Sequence, residues 1–315
     1  MKILYQNKKS GDMFDITTLV SSAKWSTKRV GSPASVDLSL IDDEQIKIEH
    51  GDIIAIKDGN TGLFYGYVFK YSRDENKVTK VTAYDQMRYL KNKDTYVFKG
   101  KRADEILRQI ANDFKIKLGA LANTGYVIPS MIEDSKTLFD IILKALDHTL
   151  INANQMYYLW DDYGSLRISN VKETVLNLII GDGSLATGYT FNSDIDSDTA
   201  NKIKLVRDNK DTGKREVYIV QHGENISHWG ILQHYDKVAE ELNKAQIEAQ
   251  AKNILALKNR PQLSLDIKAL SDLSVRAGRS IFIKIADVGV KGWYVIDECS
   301  HDLINEAMSL KLVVM

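Results

Sequence analysis

The feature that most constrains this chain is an echo between its two ends. Near the start it reads Leu38-Ser39-Leu40, then Gly51-Asp52-Ile53-Ile54-Ala55-Ile56, then Gly66-Tyr67-Val68, then a strand-like run ending at Tyr84. Near the end it reads Leu263-Ser264-Leu265, then Gly278-Arg279-Ser280-Ile281-Phe282-Ile283, then Gly292-Trp293-Tyr294-Val295, then a closing run. Order and approximate spacing agree, which is the mark of an internal duplication. The repeated unit is β-rich. In residues 35–40, Val36, Leu38 and Leu40 alternate with Ser35, Asp37 and Ser39, the period of a half-buried strand. Ile53 to Ile56 meets the turn cluster Asp58-Gly59-Asn60-Thr61-Gly62, and Leu63 to Tyr71 returns from it as a hairpin. Val78 to Tyr84 alternates again. In the last third, Leu263 to Ile267, Ile281 to Ile285, Trp293 to Ile296 and Met308 to Val314 read as strands. Ile203 to Val206 and Val217 to Val220 flank the turn residues Asn209 to Lys214 as another hairpin.

Between the ends the periodicity changes. Ala103, Ile106, Leu107, Ile110 and Phe114 recur at helical spacing, with Asp104 and Glu105 in the first turn where the helix dipole favours them. A second helix is expected after Ser135 as N-cap, burying Leu138, Ile141, Ile142, Ala145 and Leu146. Met156 to Trp160 and Leu166 to Ile168 then form a hairpin about Asp161-Asp162-Tyr163-Gly164. Residues 236–258 are rich in strong helix formers, place Val238, Leu242, Ala245 and Ala249 on one face, and stop before Pro261. They predict the longest helix, packed on its own chain. The fold class expected is α+β: two similar antiparallel β-barrel domains, an α+β insert and one long helix. The boundaries fall at 1–95 for the first barrel, 96–175 for the insert and 176–315 for the second barrel with helix 236–258.

Charge narrows the functions open to such a chain. Lys and Arg total 42 and Asp and Glu total 42, and no segment carries the basic excess of a nucleic-acid or acidic-membrane binder. Cys299 is the one cysteine, which excludes an intramolecular disulfide framework and a multi-Cys zinc site. The opening MKILYQNKKSGDMF has no apolar core of a secretory signal, and no apolar run approaches the ~18 residues needed to span a bilayer.

Several residues could carry chemistry. Asp194-Ile195-Asp196-Ser197-Asp198 has the alternating carboxylates of a calcium loop, but lacks its glycine and has Leu205 where the bidentate Glu belongs. His228 and His234 are spaced for neither a helix face nor a zinc pair. Cys299 and His301 are two apart, so a strand puts them on one face, where a thiol could meet a base. Strand alternation turns the flanking Glu298 and Asp302 to the opposite face, so no orienting acid is evident for the pair, and no helix N-terminus is either. Gly181-Asp182-Gly183 lacks the third glycine of a dinucleotide loop. Asp161-Asp162 and Asp42-Asp43 sit in turns, where Asp bonds locally. Lys91, Lys93, Lys99, Lys101 and Arg102 form the densest basic set, read as a solvated face near a domain junction. These residues assemble no catalytic, cofactor or metal site, so the chain is expected not to be an enzyme.

One longer match is specific. Lys80-Val81-Thr82-Ala83-Tyr84-Asp85-Gln86-Met87-Arg88-Tyr89-Leu90-Lys91-Asn92, followed by Ala103-Asp104-Glu105-Ile106-Leu107, resembles the XkdQ family of PBSX-type phage tails. Thr124-Gly125-Tyr126 with Ile128-Pro129, the Lys136 to Ile142 helix, Ala200-Asn201-Lys202-Ile203, Trp229-Gly230-Ile231-Leu232-Gln233 and Val275-Arg276-Ala277-Gly278 follow in family order. Arg279 stands where the family usually has an acidic residue, which puts one turn contact in question. The resemblance implies the baseplate hub of a contractile tail, or of a headless tail-like particle, similar to the hub part of VgrG spike proteins. It implies a homotrimeric ring that adapts a six-fold tail tube to a three-fold spike, located in the virion tail baseplate and folded and assembled in the host cytoplasm. Implied partners are the tube protein and a spike or spike-adaptor protein, with tape-measure and LysM-type baseplate proteins as further candidates. A membrane and sequence-specific nucleic acid are not expected among them. Some related hubs carry a fused peptidoglycan hydrolase, and none is expected after Met315. Two other classes remain open. One is a tail-borne cell-wall hydrolase using Cys299 and His301; the other is a carbohydrate-binding module using Tyr157, Tyr158, Trp160 and Tyr163.

Overall fold

The computed structural model describes residues 1–41, 43, 45–209 and 213–314. Seven strands open the chain: β1 (Lys2–Gln6), β2 (Met13–Asp15), β3 (Val20–Lys28), β4 (Ser35–Ile41), β5 (Ile53–Asp58), β6 (Thr61–Arg73) and β7 (Val78–Tyr84). The central part holds β8 (Lys93–Lys101), α1 (Ala103–Asp113), β9 (Leu118–Leu121), β10 (Ile128–Thr137), α2 (Leu138–Ala153), β11 (Tyr157–Asp161) and β12 (Leu166–Asn170). Then come β13 (Val175–Gly181), β14 (Ala186–Asp194), β15 (Lys202–Asn209), β16 (Lys214–Gln221), α3 (Gly223–Trp229), β17 (Gln233–Lys237) and α4 (Lys244–Lys258). The chain closes with β18 (Gln262–Leu270), β19 (Ser280–Ile285), β20 (Val290–Asp302) and β21 (Ala307–Val314). The fold is α+β and dominated by strands.

The two ends of the chain share one 13-stranded sheet, joined where β20 pairs antiparallel with β3. On either side of that seam the pairing repeats. The first half runs β3-β4-β7-β6-β5-β1 and the second β14-β18-β21-β20-β19-β13. Even an irregularity recurs. The β6·β7 ladder passes from Val68↔Ala83 to Lys70↔Thr82, stepping over Phe69; β20·β21 passes from Ile296↔Leu312 to Glu298↔Lys311, stepping over Asp297. An extra residue of this kind bends and twists a strand, so its recurrence gives the two halves a matching bend. They differ at the far edge, where β1 runs antiparallel to β5 but β13 parallel to β19.

The pairing corrects the residue correspondence read from sequence. Leu38 faces Val81 as Ile267 faces Leu310, so Leu38 matches Ile267 and not Leu263. Ile54 faces Gly66 as Ile281 faces Tyr294, so Gly66 matches Tyr294 and not Gly292. Shifts of two or four residues leave every side chain on its face, so strand periodicity alone cannot distinguish these registers.

The helices follow their apolar stripes. In α1, Ala103, Ile106, Leu107 and Ile110 are buried, and in α2 so are Leu138, Ile141, Ile142, Ala145 and Leu146. The cap of α2 is Thr137, whose Oγ1 accepts from Asp140 N at 3.1 Å; Ser135 instead lies within β10 at φ 55°. The helix expected over 236–258 begins only at Lys244 and is shorter than α2. Asn243 closes its start with a reciprocal capping box to Gln246, at 3.0 and 2.9 Å. Upstream, 233–237 is the strand β17, parallel to β15, and Val238 N extends that contact to Val206 O at 2.9 Å. The β15·β16 hairpin forms as expected, although turn residues Lys210, Asp211 and Thr212 lie outside the described residues. With β17 and α4 it encloses a core of its own around Ile203, Leu205, Ile247, Ala251 and Ile254.

Candidate functional site

Two features position everything else: the seam, and a buried junction beside it. At the seam, backbone pairing runs from Lys28↔Glu298 to Lys24↔Asp302. Lys28 Nζ lies 2.9 Å from a Glu298 carboxylate oxygen, and Ser26 and Ser300 join hydroxyls at 3.1 Å. Trp25 stacks on His301 with ring centroids 5.1 Å apart. The polar side of the sheet forms a groove of about 660 Å³ across the seam, lined in part by Lys24, Lys28, Asp266, Lys268, Glu298 and Lys311.

The Cys299 and His301 pair meets on the apolar side of this seam. The thiol is 3.1 Å from His301 Nε2, and both residues are about 1% exposed. Nε2 also lies 2.8 Å from Val275 O, so it carries the proton and donates there, while Nδ1 accepts from the Ser271 hydroxyl at 2.7 Å. Burial raises the Cys299 thiol far above its usual range, and burial lowers His301, partly offset by the Val275 carbonyl. A nucleophile needs the reverse: an exposed thiolate beside a cationic base. The pair fills a core position.

The junction gathers three stretches around Arg276. Its Nη2 donates to Asp161 O at 3.0 Å, and its guanidinium lies 4.3 Å from the centre of the Trp160 ring. Arg167 covers the same ring at 5.8 Å, and Trp160 Nε1 donates to Ser169 Oγ at 2.9 Å. Nearby, the Asp85 carboxylate accepts from Ala34 N at 3.1 Å and Met87 N at 3.0 Å. Burial, then the neighbouring Asp161 carboxylate, raise the Asp85 carboxyl well above its ordinary value, against the pull of those N–H groups and Arg276. Gln86 binds both backbone groups of Lys117, at 3.0 and 3.2 Å. The hairpin tip reaches the first half through Tyr163, whose ring packs on Gly62 and lies 5.5 Å from that of Tyr65. The central segment is thereby tied to both halves of the sheet.

The structure places the other sequence candidates in local roles. Asp194 uses one carboxylate oxygen on Asp196 N, Ser197 N and the Ser197 hydroxyl, at 3.0, 2.9 and 2.8 Å. His228 lies in the last turn of α3 while His234 sits on β17. Asp182 accepts from Ala286 N at 2.7 Å, binding the Gly181-Asp182-Gly183 turn to the end of β19. Asp161 accepts from Gly164 N at 2.6 Å within its turn, and Asp162 pairs with Arg167 at 2.7 Å. Asp43 accepts from Gln45 N at 2.8 Å; Asp42 lies outside the described residues. Lys93 and Lys99 share the exposed face of β8, whereas Arg102 is bound to Asp104 and Glu105 at the start of α1. Of the aromatic set, Tyr158 is buried, Trp160 lies between two arginines and Tyr163 is packed at the hairpin tip, so they do not form the open platform a glycan would need. Arg279 Nη1 donates to Ser274 O at 2.9 Å, a bond between the two ends of the 274–279 stretch that leads into β19. Asp85 and Arg276 carry the junction, yet the sequence alone gives them no role. Both stand inside motifs of the family resemblance, Asp85 in the 80–92 run and Arg276 beside Gly278, and no local pattern says that they share a buried space.

The fold is that of phage tail proteins. The 43 kDa tail protein of prophage MuSo2 from Shewanella oneidensis has a TM-score of 0.73 at 12% identity, over 100% of this chain and 98% of its own. An E. coli protein, c3393, described as a type VI secretion component with structural similarity to the T4 tail proteins gp27 and gp5, has a TM-score of 0.54 at 8% identity, over 94% and 74%. The family pattern described as YqbQ-like matches residues 23–314, and the chain belongs to that family. Among relatives from Bacillus subtilis (strain 168), it is 34% identical to YqbQ over 91% of this chain and 89% of that protein. It is 33% identical to the PBSX phage-like element protein XkdQ over 87% and 85%. The resemblance carried by residues 80–92 and the motifs after them is thus confirmed.

Proposed function

We propose that this phage-tail protein is the structural hub of a contractile tail or tail-like baseplate, a homotrimeric ring that adapts a six-fold tube to a three-fold spike. The observation that carries the reading is the repeated pairing order, including the bulges at Phe69 and Asp297. Two like units per chain let three chains offer six like faces, and closed rotational symmetry is the usual outcome for repeated contacts between identical subunits. In this reading each half curls into a tube-like barrel, over residues 1–95 and 176–315, with 96–175 as the insert wedged between them. The β15–α4 lobe is an outgrowth of the second half. The polar groove across the seam belongs to the face turned towards the channel, where charged side chains remain hydrated. Tube and spike proteins are its partners, and the baseplate its place. Reconstruction of assembled tails tests the reading: three copies at the tube–spike junction are expected, and one or six would overturn it. The protein acts by position, without turnover. Release of muropeptides from purified cell walls, lost on Cys299→Ala, would overturn that part.

A further inference from the structure

The seam has an unfilled counterpart at two other edges of the same sheet. On β20, the edge from Glu298 to Asp302 carries β3. The equivalent edge of β6, from Lys70 onward past the end of its pairing with β5, carries no strand among the described residues. β14, the counterpart of β3, pairs with β18 on one side and with no strand on the other among the described residues. Such edges present unpaired backbone groups that another strand can satisfy. Within one chain they remain apart, separated along the sheet by β18, β21, β20, β3, β4 and β7.

The shared register states which residues would meet. Ala23 faces Leu38 as Tyr189 faces Ile267, so Lys24 to Lys28 correspond to Thr190 to Asp194; Glu298 to Asp302 likewise correspond to Lys70 to Asp74. The seam pair Lys28↔Glu298 then becomes Asp194↔Lys70, an ion pair with its signs exchanged. Ser26↔Ser300 becomes Asn192↔Ser72, again two hydrogen-bonding side chains. Thr27↔Cys299 becomes Ser193↔Tyr71, and Trp25↔His301 becomes Phe191↔Arg73, an aromatic ring against a planar cation. Tyr71, whose ring lies 4.8 Å from that of His50, is 41% exposed where its counterpart Cys299 is 1% exposed, so pairing would cover the part of an aromatic side chain that the single chain leaves in solvent. Opposite charges directly across a ladder favour this register over its neighbours.

We propose that the β6 edge at Lys70–Asp74 of one copy pairs antiparallel with the β14 edge at Thr190–Asp194 of a second copy, repeating the internal seam between chains. The partner is another copy of this chain, and the proposal rests on the trimeric reading above. Each chain offers one edge of each kind, a head-to-tail contact that closes into a ring when the rotation permits. Three internal seams would then alternate with three between chains.

The test uses the full chain in assembled tails. Ser72→Cys combined with Asn192→Cys is expected to give disulfide-linked dimers and trimers on oxidation, because the equivalent seam hydroxyls are 3.1 Å apart; Ser72→Cys alone should give neither. Lys70→Asp is expected to lower particle yield at least tenfold, and Lys70→Asp with Asp194→Lys to restore it. Lys70 is exposed, so folding of the single chain should survive its change; the Asp194 carboxylate also holds the 194–197 turn, so circular dichroism of the purified double variant checks that this chain still folds. Particles that contain three copies but yield no cross-link, or that tolerate Lys70→Asp unaided, would overturn the edge pairing and leave the trimer standing. Particles with one or six copies would overturn both.

Discussion

Arg29 grips Asp297 through backbone and side chain at once. Its N–H donates to Asp297 O at 2.8 Å, and its Nε donates to Asp297 Oδ1 at 2.9 Å. Asp297 is the bulged residue of β20, so this grip sits where the strand bends into the seam with β3. Both side chains are about three-quarters buried, which separates this pair from the solvent-exposed ion pairs elsewhere on the chain. Arg29→Ala should lower stability by about 1–2 kcal/mol, the usual worth of a charge-assisted hydrogen bond that is only partly screened. Urea unfolding of the full chain measures it. A loss no greater than that of Lys2→Ala, whose partner Asp15 is exposed, would show that the grip adds nothing to the seam.

Gly278 is required for two reasons that act together. Its φ is +91°, and a Cβ there would lie 2.0 Å from the Tyr158 ring, beside the Arg276 junction. Gly292 has neither restriction: its φ is ordinary, and a methyl group at that position would meet no atom within 4 Å. Gly278→Ala should therefore cost about 3 kcal/mol or more, combining backbone strain with overpacking, while Gly292→Ala should stay within about 0.5 kcal/mol. Thermal melts of the two variants side by side would check the contrast, and equal melting temperatures would refute it.

Asp85 makes stability depend on pH in a defined direction. Its folded-state carboxyl is raised above the ordinary value of 3.8, so the folded chain holds a proton that the unfolded chain has released. Stability from this group is therefore fullest below the ordinary value and declines as pH rises through the raised one. Asp85→Asn, neutral throughout, should flatten that decline in urea midpoints measured from pH 4 to 7; parallel curves for variant and wild type would contradict it. Asp85→Ala should be worse at every pH, because it strands the buried N–H groups of Ala34 and Met87 at about 1–3 kcal/mol each.

Local patterns in the sequence carry the local elements, and distance in the chain hides the rest. The stripes through Ile106 and Ile110 or Ile141 and Ala145 read as helices because each buries one face against a nearby core. The start of α4 is misread from sequence because residues 238–243 contain good helix formers, while the contact that holds them out of the helix, Val238 N to Val206 O, involves a strand 32 positions away. β17 escapes notice because Gln233-His234-Tyr235-Asp236-Lys237 is mostly exposed and shows no apolar alternation. The echo between the ends is visible, but its register becomes readable only through hydrogen-bond partners such as Ile267 and Leu310. The site follows the same rule. Cys299 and His301 share a face because they are two apart on a strand; Asp85 and Arg276 share a junction by tertiary folding alone.

The seam also governs the chemistry of Cys299. The thiol is 1% exposed, lies 3.5 Å from Val275 O and is raised by burial far above its usual range. Thiol reagents attack the thiolate, so the folded protein should react only when this part of the sheet opens. Labelling with a chromogenic disulfide should then be slow and should accelerate in parallel with unfolding as urea is added. Weakening the seam should speed it: where opening is fast and reversible, Arg29→Ala should raise the labelling rate by the factor its stability loss implies, roughly tenfold for about 1.4 kcal/mol. Labelling that is fast without urea, and indifferent both to low urea and to Arg29→Ala, would mean that a native thiolate is accessible beside His301. That result would return the pair to consideration as a nucleophile and base.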